Sequence, residues 1–501
     1  MRIRKVKTQS KNTAVQVVSY TKNKTFVHRH IGSAKNKEEL SALVESARRW
    51  IEYRTGQSNL FAMEERKRNI DTVVGKYKYR GFRYGLVYET INSIFSVFGL
   101  LDGRGKTGWK MFLDLALVRA IDPASKRESQ RLLESLFGIN YDLTSIYRSM
   151  PRFCDFKNRV ESGLMDFAKN HLCFNFSFVL YDITTLYFET FVEDELRRCG
   201  YSKDNKIGQP QILVGLIVSK EGFPLSSEVF EGSKFEGHTI IPIILNFKTE
   251  HSILSLTVVA DAGMLSKSNI DALKKAGLDY IVGARLNAKS VSLDMALDIK
   301  TKLNGIDGAS IRLETKDDFL VCSFSASRYK KDLHELEKQV EKAKLIVSGK
   351  RPIKNTKFVV KPMVGNGKIN QTSVDKATHL LGIKGYRTNL YVPNNVIIER
   401  YSDLWQVEKA FRISKNDLAV RPVYHFNKEP IIAHILICTL ALAVLKFMEI
   451  KTGKSAKYVL DHLKSITDGL LLNTATNEIE SFRAESNEAV DNLLKKMYQP
   501  H

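Results

Sequence analysis

Apolar and polar residues alternate in TAVQVVSY and KTFVHRHIG, a period of two that predicts strands. From Lys37 to Tyr53 the apolar positions recur every three or four residues, which predicts a helix. Residues 1–83 therefore read as a small basic α+β module with a Lys/Arg-rich link from Glu64 to Arg83. Helical spacing dominates residues 84–172, in LVYETINSIFSVFGLL and MFLDLALVRAI. At Phe174 the texture turns to strands: NFSFVLYDITTLYFET, QILVGLIVS, LSSEVFEG, LTVVAD and LDYIVGAR. HTIIPIILNFKT and NIDALKKAG read as helices between them, the second capped by Ser268 with Asp271 in the capping-box position. Strand, strand, strand, helix, strand, helix, strand is the order of a mixed α/β layer.

Residues 287–396 break that order. SIRLETKDDFLVCSFS and TKFVVKPMVG predict strands around a long charged helix, Tyr329 to Leu345, which reads as a solvated face. The stretch has the look of an insertion, because the core pattern resumes only at Tyr401 and continues over residues 397–450. The tail, residues 451–501, reads as helical and peripheral in YVLDHLKSI and NLLKKMY. The apolar run from Ile431 to Leu445 is shorter than the roughly 20 residues that span a bilayer. It also contains His434, so a buried core helix is expected and no membrane association.

Composition sharpens this picture. A chain of 501 residues has room for two or three domains. Its formal net charge of +22 predicts a polyanionic partner, nucleic acid ahead of a membrane surface. The bases are spread along the whole chain, so the charge belongs to folded surfaces. Cys154, Cys173, Cys199, Cys322 and Cys438 show no CxxC spacing, which argues against a zinc site and a disulfide framework and for a reducing, cytoplasmic setting. The opening MRIRKVKTQSKN has no apolar secretory core.

Candidate chemistry follows from carboxylates in apolar surroundings. Asp182 lies in the middle of a β-rich run, where burial is costly unless a partner or a metal offsets it. Asp261 ends a short buried strand. In YSDLWQVEKAFRISK, Tyr401, Glu408 and Lys415 are spaced seven apart and fall on one face of a helix, with Leu404, Phe411 and Arg412 close to that face. GLLDGRGKTG resembles a phosphate-binding loop but has five residues where four are needed, so a loop between helices is the better reading. His425 and His434 read as positioned and packed side chains, Trp405 as packing, His238 as the opening of a helix, and Glu189, Glu228 and Glu231 as surface charge.

Asp182 on a first strand, Asp261 after a later strand and Glu408 on a helix beyond a β-containing insertion resemble the DDE transposases of bacterial insertion sequences, in the cut-and-paste branch. That branch carries a Tyr-x2-Arg-x3-Glu-x6-Lys signature, which Tyr401, Glu408 and Lys415 match while Leu404 occupies the arginine position. GYRTNL, RPVYH and EPIIAHILICTLAL are also similar to this group, and Lys384 stands where its pattern has an acid. The resemblance implies an α/β ribonuclease H-like mixed-sheet core (residues 173–286 and 397–450) interrupted by the β-rich insertion, with N-terminal α+β and helical regions that bind DNA. It implies a metal-dependent enzyme that binds the terminal inverted repeats of an element, cleaves strands and transfers the 3′-OH to target DNA. Asp182, Asp261 and Glu408 would be its catalytic, metal-holding residues, taking two Mg2+ ions per site with Mn2+ as a substitute. Two ions suit in-line phosphodiester attack, because one supports the nucleophile and the other the leaving oxygen. Tyr401, Arg412 and Lys415 would contact DNA phosphates, with Lys409 or Arg412 replacing the missing arginine. A homodimer would pair the two ends. The rival readings are a non-catalytic DNA-binding derivative or regulator and, more remotely, a nucleotide-dependent enzyme.

Overall fold

The period-two segments at the head of the chain form an antiparallel sheet in the order β1-β2-β3, with β1 (Arg2–Lys7), β2 (Thr13–Thr21) and β3 (Lys24–Ala34). Val15 and Val17 of β2 are fully buried and meet Ala47 of the helix Lys37–Thr55. Strand β1 has no legible alternation because most of its positions are exposed and charged. The computed structural model describes residues 1–8, 12–21, 24–55, 76–102, 108–174, 178–200, 208–234, 239–264, 267–287, 291–351, 357–360, 367–421 and 423–498. These fall into two units, one of residues 1–81 with 469–482 and one of residues 82–468 with 483–501.

The link and the tail differ from expectation. Tyr77–Arg83 is a strand, β4, and the rest of the link before residue 76 lies outside the described residues. The tail is not wholly helical: Asp468–Asn473 and Glu478–Arg483 are strands that form a three-stranded sheet with β4. Asn477 takes the left-handed conformation at the turn between them, which an Asn tolerates better than most residues. The sequence hid these strands because few of their positions are buried.

In the larger unit, helices Gly85–Val97, Trp109–Ile121, Lys126–Leu132, Leu143–Ser149 and Lys157–His171 realise the helical spacing of residues 84–172. Phe98 lies with ring centroids 5.0 Å from Phe167, 5.8 Å from Phe223 and 5.9 Å from Phe447. Edge-on aromatic packing of this kind welds the helices to the sheet and to the long helix Lys428–Thr452. That helix is the one among the described residues long and apolar enough to cross a membrane, and 94% of its most apolar window is buried inside the protein. It is a core helix, as expected. The glycine-rich loop does join two helices, but residues 103–107 lie outside the described residues, as does His238.

The central sheet has eight strands: β5 (Val179–Tyr187), β6 (Gln211–Val218), β7 (Pro224–Glu231), β8 (Thr257–Ala260), β9 (Asp279–Ala284), β10 (Ser310–Glu314), β11 (Phe319–Phe324) and, after the short pair β12 (Val359–Val360) and β13 (Lys368–Ile369), β14 (Ile383–Thr388). Their order is β10-β11-β14-β9-β8-β5-β6-β7. Strands β5, β8 and β9 are parallel, while β6 and β7 return antiparallel as a hairpin. The inserted strands thus continue the core sheet through β14, which pairs antiparallel with β9. Two helices absent from the sequence reading, Leu293–Leu303 and Gln371–His379, accompany them, and the charged helix extends over Ala326–Val347. Helix Lys267–Lys275 starts two residues earlier than expected, which places Ser268 inside its first turn and not at its cap.

Glu161, 1% exposed, ties the Lys157–His171 helix to β7 by accepting from Ser226 Oγ (3.1 Å) and Ser227 N (3.0 Å). Burial pushes its carboxyl up to about 7, against the opposing pull of Lys157 and the two serine donors. Between the ordinary carboxylate range and about 7, the native chain keeps a proton that the unfolded chain has lost. Stability therefore falls as pH rises through that window and is level above it. Glu161→Gln is expected to flatten this slope and to gain up to about 3 kcal/mol above neutral pH, read from urea unfolding on both sides of the window. An unchanged slope would remove Glu161 as its source.

Candidate active site

Strand pairing brings the two aspartates together. Tyr181 of β5 pairs with Ala260 of β8 in a parallel ladder, and the next residue on each strand is an acid, Asp182 and Asp261. They stand at the same level on neighbouring strands, which run about 4.8 Å apart. Asp182 is half-buried inside β5 and Asp261 is exposed where β8 ends and the turn Ala262–Met264 begins.

Glu408 comes from a helix that lies against β5 and β6, Trp405–Arg412. The expected single helix through Tyr401 and Lys415 is broken. Helix Asn394–Ser402 ends, the chain turns at Asp403 and Leu404, and a π-helical turn over Ile413–Asp417 follows Arg412. The seven-residue stripe consequently does not share one continuous face. Two of its members still meet, without Tyr401: Glu408 and Lys415 line a cleft of about 350 Å³ with Asp182, Arg412, Thr184 and Asn416. The π turn inserts one extra residue per turn, a device common near functional positions, and it carries Lys415 to the cleft.

Gly222 sets that helix against the sheet. It lies in the β6–β7 turn at φ +77°, and a Cβ there would press on Gln406 Oε1 (3.0 Å) and Gln406 Cβ (3.3 Å). A larger residue would be strained by its backbone and would push the Glu408 helix away.

Tyr401 faces Asp261, and not the cleft. It is 5% exposed and its hydroxyl donates to Asp261 Oδ1 at 3.1 Å. Burial, then the neighbouring Asp261, raises its phenol above the ordinary range, so it stays a donor. Gly283 of β9 makes room, since a Cβ there would collide with the Tyr401 hydroxyl. Lys384 of β14 completes the group with its Nζ 4.4 Å from the centre of the Tyr401 ring. Burial lowers its pKa and Arg328 adds to that, while attraction from both Asp261 and Glu408 opposes it. A cation attracted by two of the acids is what the signature could not anticipate at this position.

Leu404 is 8% exposed and belongs to the core. Of the two bases expected to replace the arginine, Lys409 is engaged by Glu449 at 2.9 Å, while Arg412 lines the cleft. Trp405, expected to pack, is 52% exposed. His425 and His434 pack as a pair with ring centroids 5.6 Å apart. Glu228 is ion-paired with Lys157.

Among the described residues, no three His, Cys, Asp or Glu side chains are gathered into a ready-made metal cage. The donors at and beside the cleft are carboxylate oxygens, the type that hard divalent cations prefer. Asp182 and Asp261 are brought side by side by strand register, and Glu408 is supplied across the cleft from Asp182.

Residues 176–444 match the family model described as Transposase DDE domain. Among solved structures the chain is similar to piggyBac transposase in a synaptic complex with hairpin DNA, at 11% identity over 76% of each chain and a TM-score of 0.38. It is also similar to Mos1 transposase in a paired-end complex with the left transposon end, at 11% identity over 34% of this chain and 57% of that one, with a TM-score of 0.16. No match is found among curated proteins.

Proposed function

Since this chain belongs to the transposase DDE domain family, we propose that it binds the terminal inverted repeats of an insertion sequence, cleaves strands there and joins the freed 3′-OH to target DNA. The observation that carries the reading is the in-register placement of Asp182 and Asp261 on neighbouring parallel strands, with Glu408 facing Asp182 from the helix laid over β5. The order β7-β6-β5-β8-β9, in which only β6 runs against the other four, supports a ribonuclease H-like core.

Asp182, Asp261 and Glu408 would hold two Mg2+ ions. Bound there, the ions would supply polarisation of the attacking hydroxyl and relief of charge on the leaving oxygen. Tyr401 orients the Asp261 carboxylate through its hydroxyl. Lys384 offsets the mutual repulsion of Asp261 and Glu408 before ions and DNA arrive. Arg412 and Lys415 position backbone phosphates at the mouth of the cleft, a task that fixes register without reading bases. Residues 1–83 and 84–172 would grip the DNA outside the site, and two copies of the chain would pair the two ends. The protein would work in the cytoplasm, on the chromosome.

DNA flanking the gene supplies the substrate. Duplexes carrying its inverted repeats are expected to be nicked in Mg2+, to remain intact after chelation with EDTA, and to be nicked equally with and without ATP. Nicking that survives chelation would overturn the metal assignment. Binding of the repeats with no nicking in any divalent metal would establish the non-catalytic derivative instead.

A further inference from the structure

We propose that a cavity distinct from the acid-lined cleft, between the Lys126–Leu132 helix and the segment after the π turn, is a phosphate site that seats one backbone phosphate of the bound DNA. The cavity has a volume of about 170 Å³, room for roughly five waters, and so for a tetrahedral oxyanion. Arg119, Lys126, His425 and His434 line it, and they are 4%, 5%, 8% and 4% exposed. Among the described residues lining it there is no carboxylate.

The members of the cluster have different tasks. Arg119 is a brace: it donates to the carbonyls of Leu418 (3.3 Å), Ala419 (3.4 Å) and Ala124 (2.6 Å). It thereby holds Ala419 in a left-handed conformation, φ +41°, unusual for a residue with a Cβ. Lys126 is different. Its ammonium meets a neutral base, His434 Nδ1 at 3.4 Å, and the other ring nitrogen of His434 is taken by the Val420 carbonyl at 3.1 Å.

A buried ammonium facing a second cation and no anion is expensive, and such charges are normally paired. Burial first, then Arg119, brings the Lys126 ammonium down to about 7, and burial first, then Lys126 and Arg119, brings His425 down to about 4. An anion in the cavity would relieve all of these at once. Tyr147 and Tyr424 stand at its rim, 48% and 66% exposed, flat surfaces suited to the sugar and base beside a bound phosphate. The phosphate chemistry stands independently of the proposed function. Only its source, the DNA backbone, rests on that reading.

The test uses the full chain and Lys126→Met, an apolar near-isostere that removes the buried charge, with Lys126→Gln as a second variant. Inorganic phosphate is expected to raise the thermal midpoint of the parent chain above its value in chloride of equal ionic strength, and both variants are expected to lose this response. Binding of a duplex oligonucleotide is expected to show a log K against log salt slope shallower by about one in the variants. If phosphate gives no protection to the parent chain, the site is overturned and the cluster is a structural brace. If protection is lost in the variants while the salt slope is unchanged, the DNA source is overturned and the cavity serves free phosphate. The phosphate arm reads out without strand cleavage, so its failure is distinct from failure of the transposase reading.

Discussion

Asp182→Ala, Asp261→Ala and Glu408→Ala are each expected to lower nicking of inverted-repeat DNA by on the order of 10³ or more, to the background of the assay, while end binding in a mobility-shift assay changes little. The expectation comes from geometry. Two of the acids are fixed by β5–β8 register, and the third by a helix held to the β6–β7 turn at Gly222. Removing one carboxylate leaves those elements in place, because Asp261 and Glu408 are exposed and Asp182 is only half-buried. The loss should therefore appear in cleavage and not in folding. An alanine variant that still cuts at a comparable rate would show that its carboxylate is not part of the reaction. A variant that loses end binding together with cleavage would point to a DNA-gripping role instead.

The largest effect on stability is expected from Asp318→Ala. Its side chain is fully buried and accepts from Tyr280 Oη at 2.8 Å and Arg387 Nη2 at 2.7 Å, with Thr315 also donating and Lys274 at 3.9 Å. These partners come from β9, from β14, from the β10–β11 turn and from the Lys267–Lys275 helix, so one carboxylate fastens the inserted hairpin to the core sheet. Burial alone would raise its pKa. The donors from Thr315, Arg387 and Tyr280 outweigh that and hold it below the usual carboxylate range. Its stabilisation is accordingly present at neutral pH and is lost on acidification, as the carboxylate protonates.

Alanine leaves the Arg387 charge and the Tyr280 hydroxyl without their acceptor, a cost of about 3–5 kcal/mol in urea or thermal unfolding. Asp318→Asn retains an acceptor and should lose less. A loss below about 1 kcal/mol for alanine would mean that solvent replaces the carboxylate and that the hairpin is held by packing alone.

What the sequence made legible were the elements whose apolar pattern is one-sided and whose chemistry is local. β5, β6, β7 and β9 fell where alternating or continuous apolar runs placed them, and Asp182 stood out because a charge interrupts such a run. The destination of the inserted strands was not legible. β10, β11 and β14 carry the same pattern whether they build a separate layer or lengthen an existing sheet, and only pairing partners decide. The break at Asp403 and Leu404 was hidden because neither residue is a helix breaker, so the seven-residue stripe suggested one face where there are two helices and a π turn.

Asp318 was equally hidden, for its partners Tyr280 and Arg387 lie far from it in the chain. The same holds for Lys126, whose neighbours Arg119 and His434 come from two other helices. Tyr401 was found for its spacing but not for its task, since a spacing argument has no means of saying that the ring is buried and turned toward Asp261.

The parallel pairing of Tyr181 with Ala260 has a consequence for how such a chain can diverge. Everything from β6 to the helix before β8 is a detour that leaves β5 and returns beside it, so loops along the detour can grow or shrink while the two aspartates keep their places. A single residue gained within β5 or β8 is another matter: side chains alternate between the two sides of a strand, and the acid beyond the added residue would be carried to the opposite side of the layer. Length is free in the excursion and frozen in the two rungs that frame it.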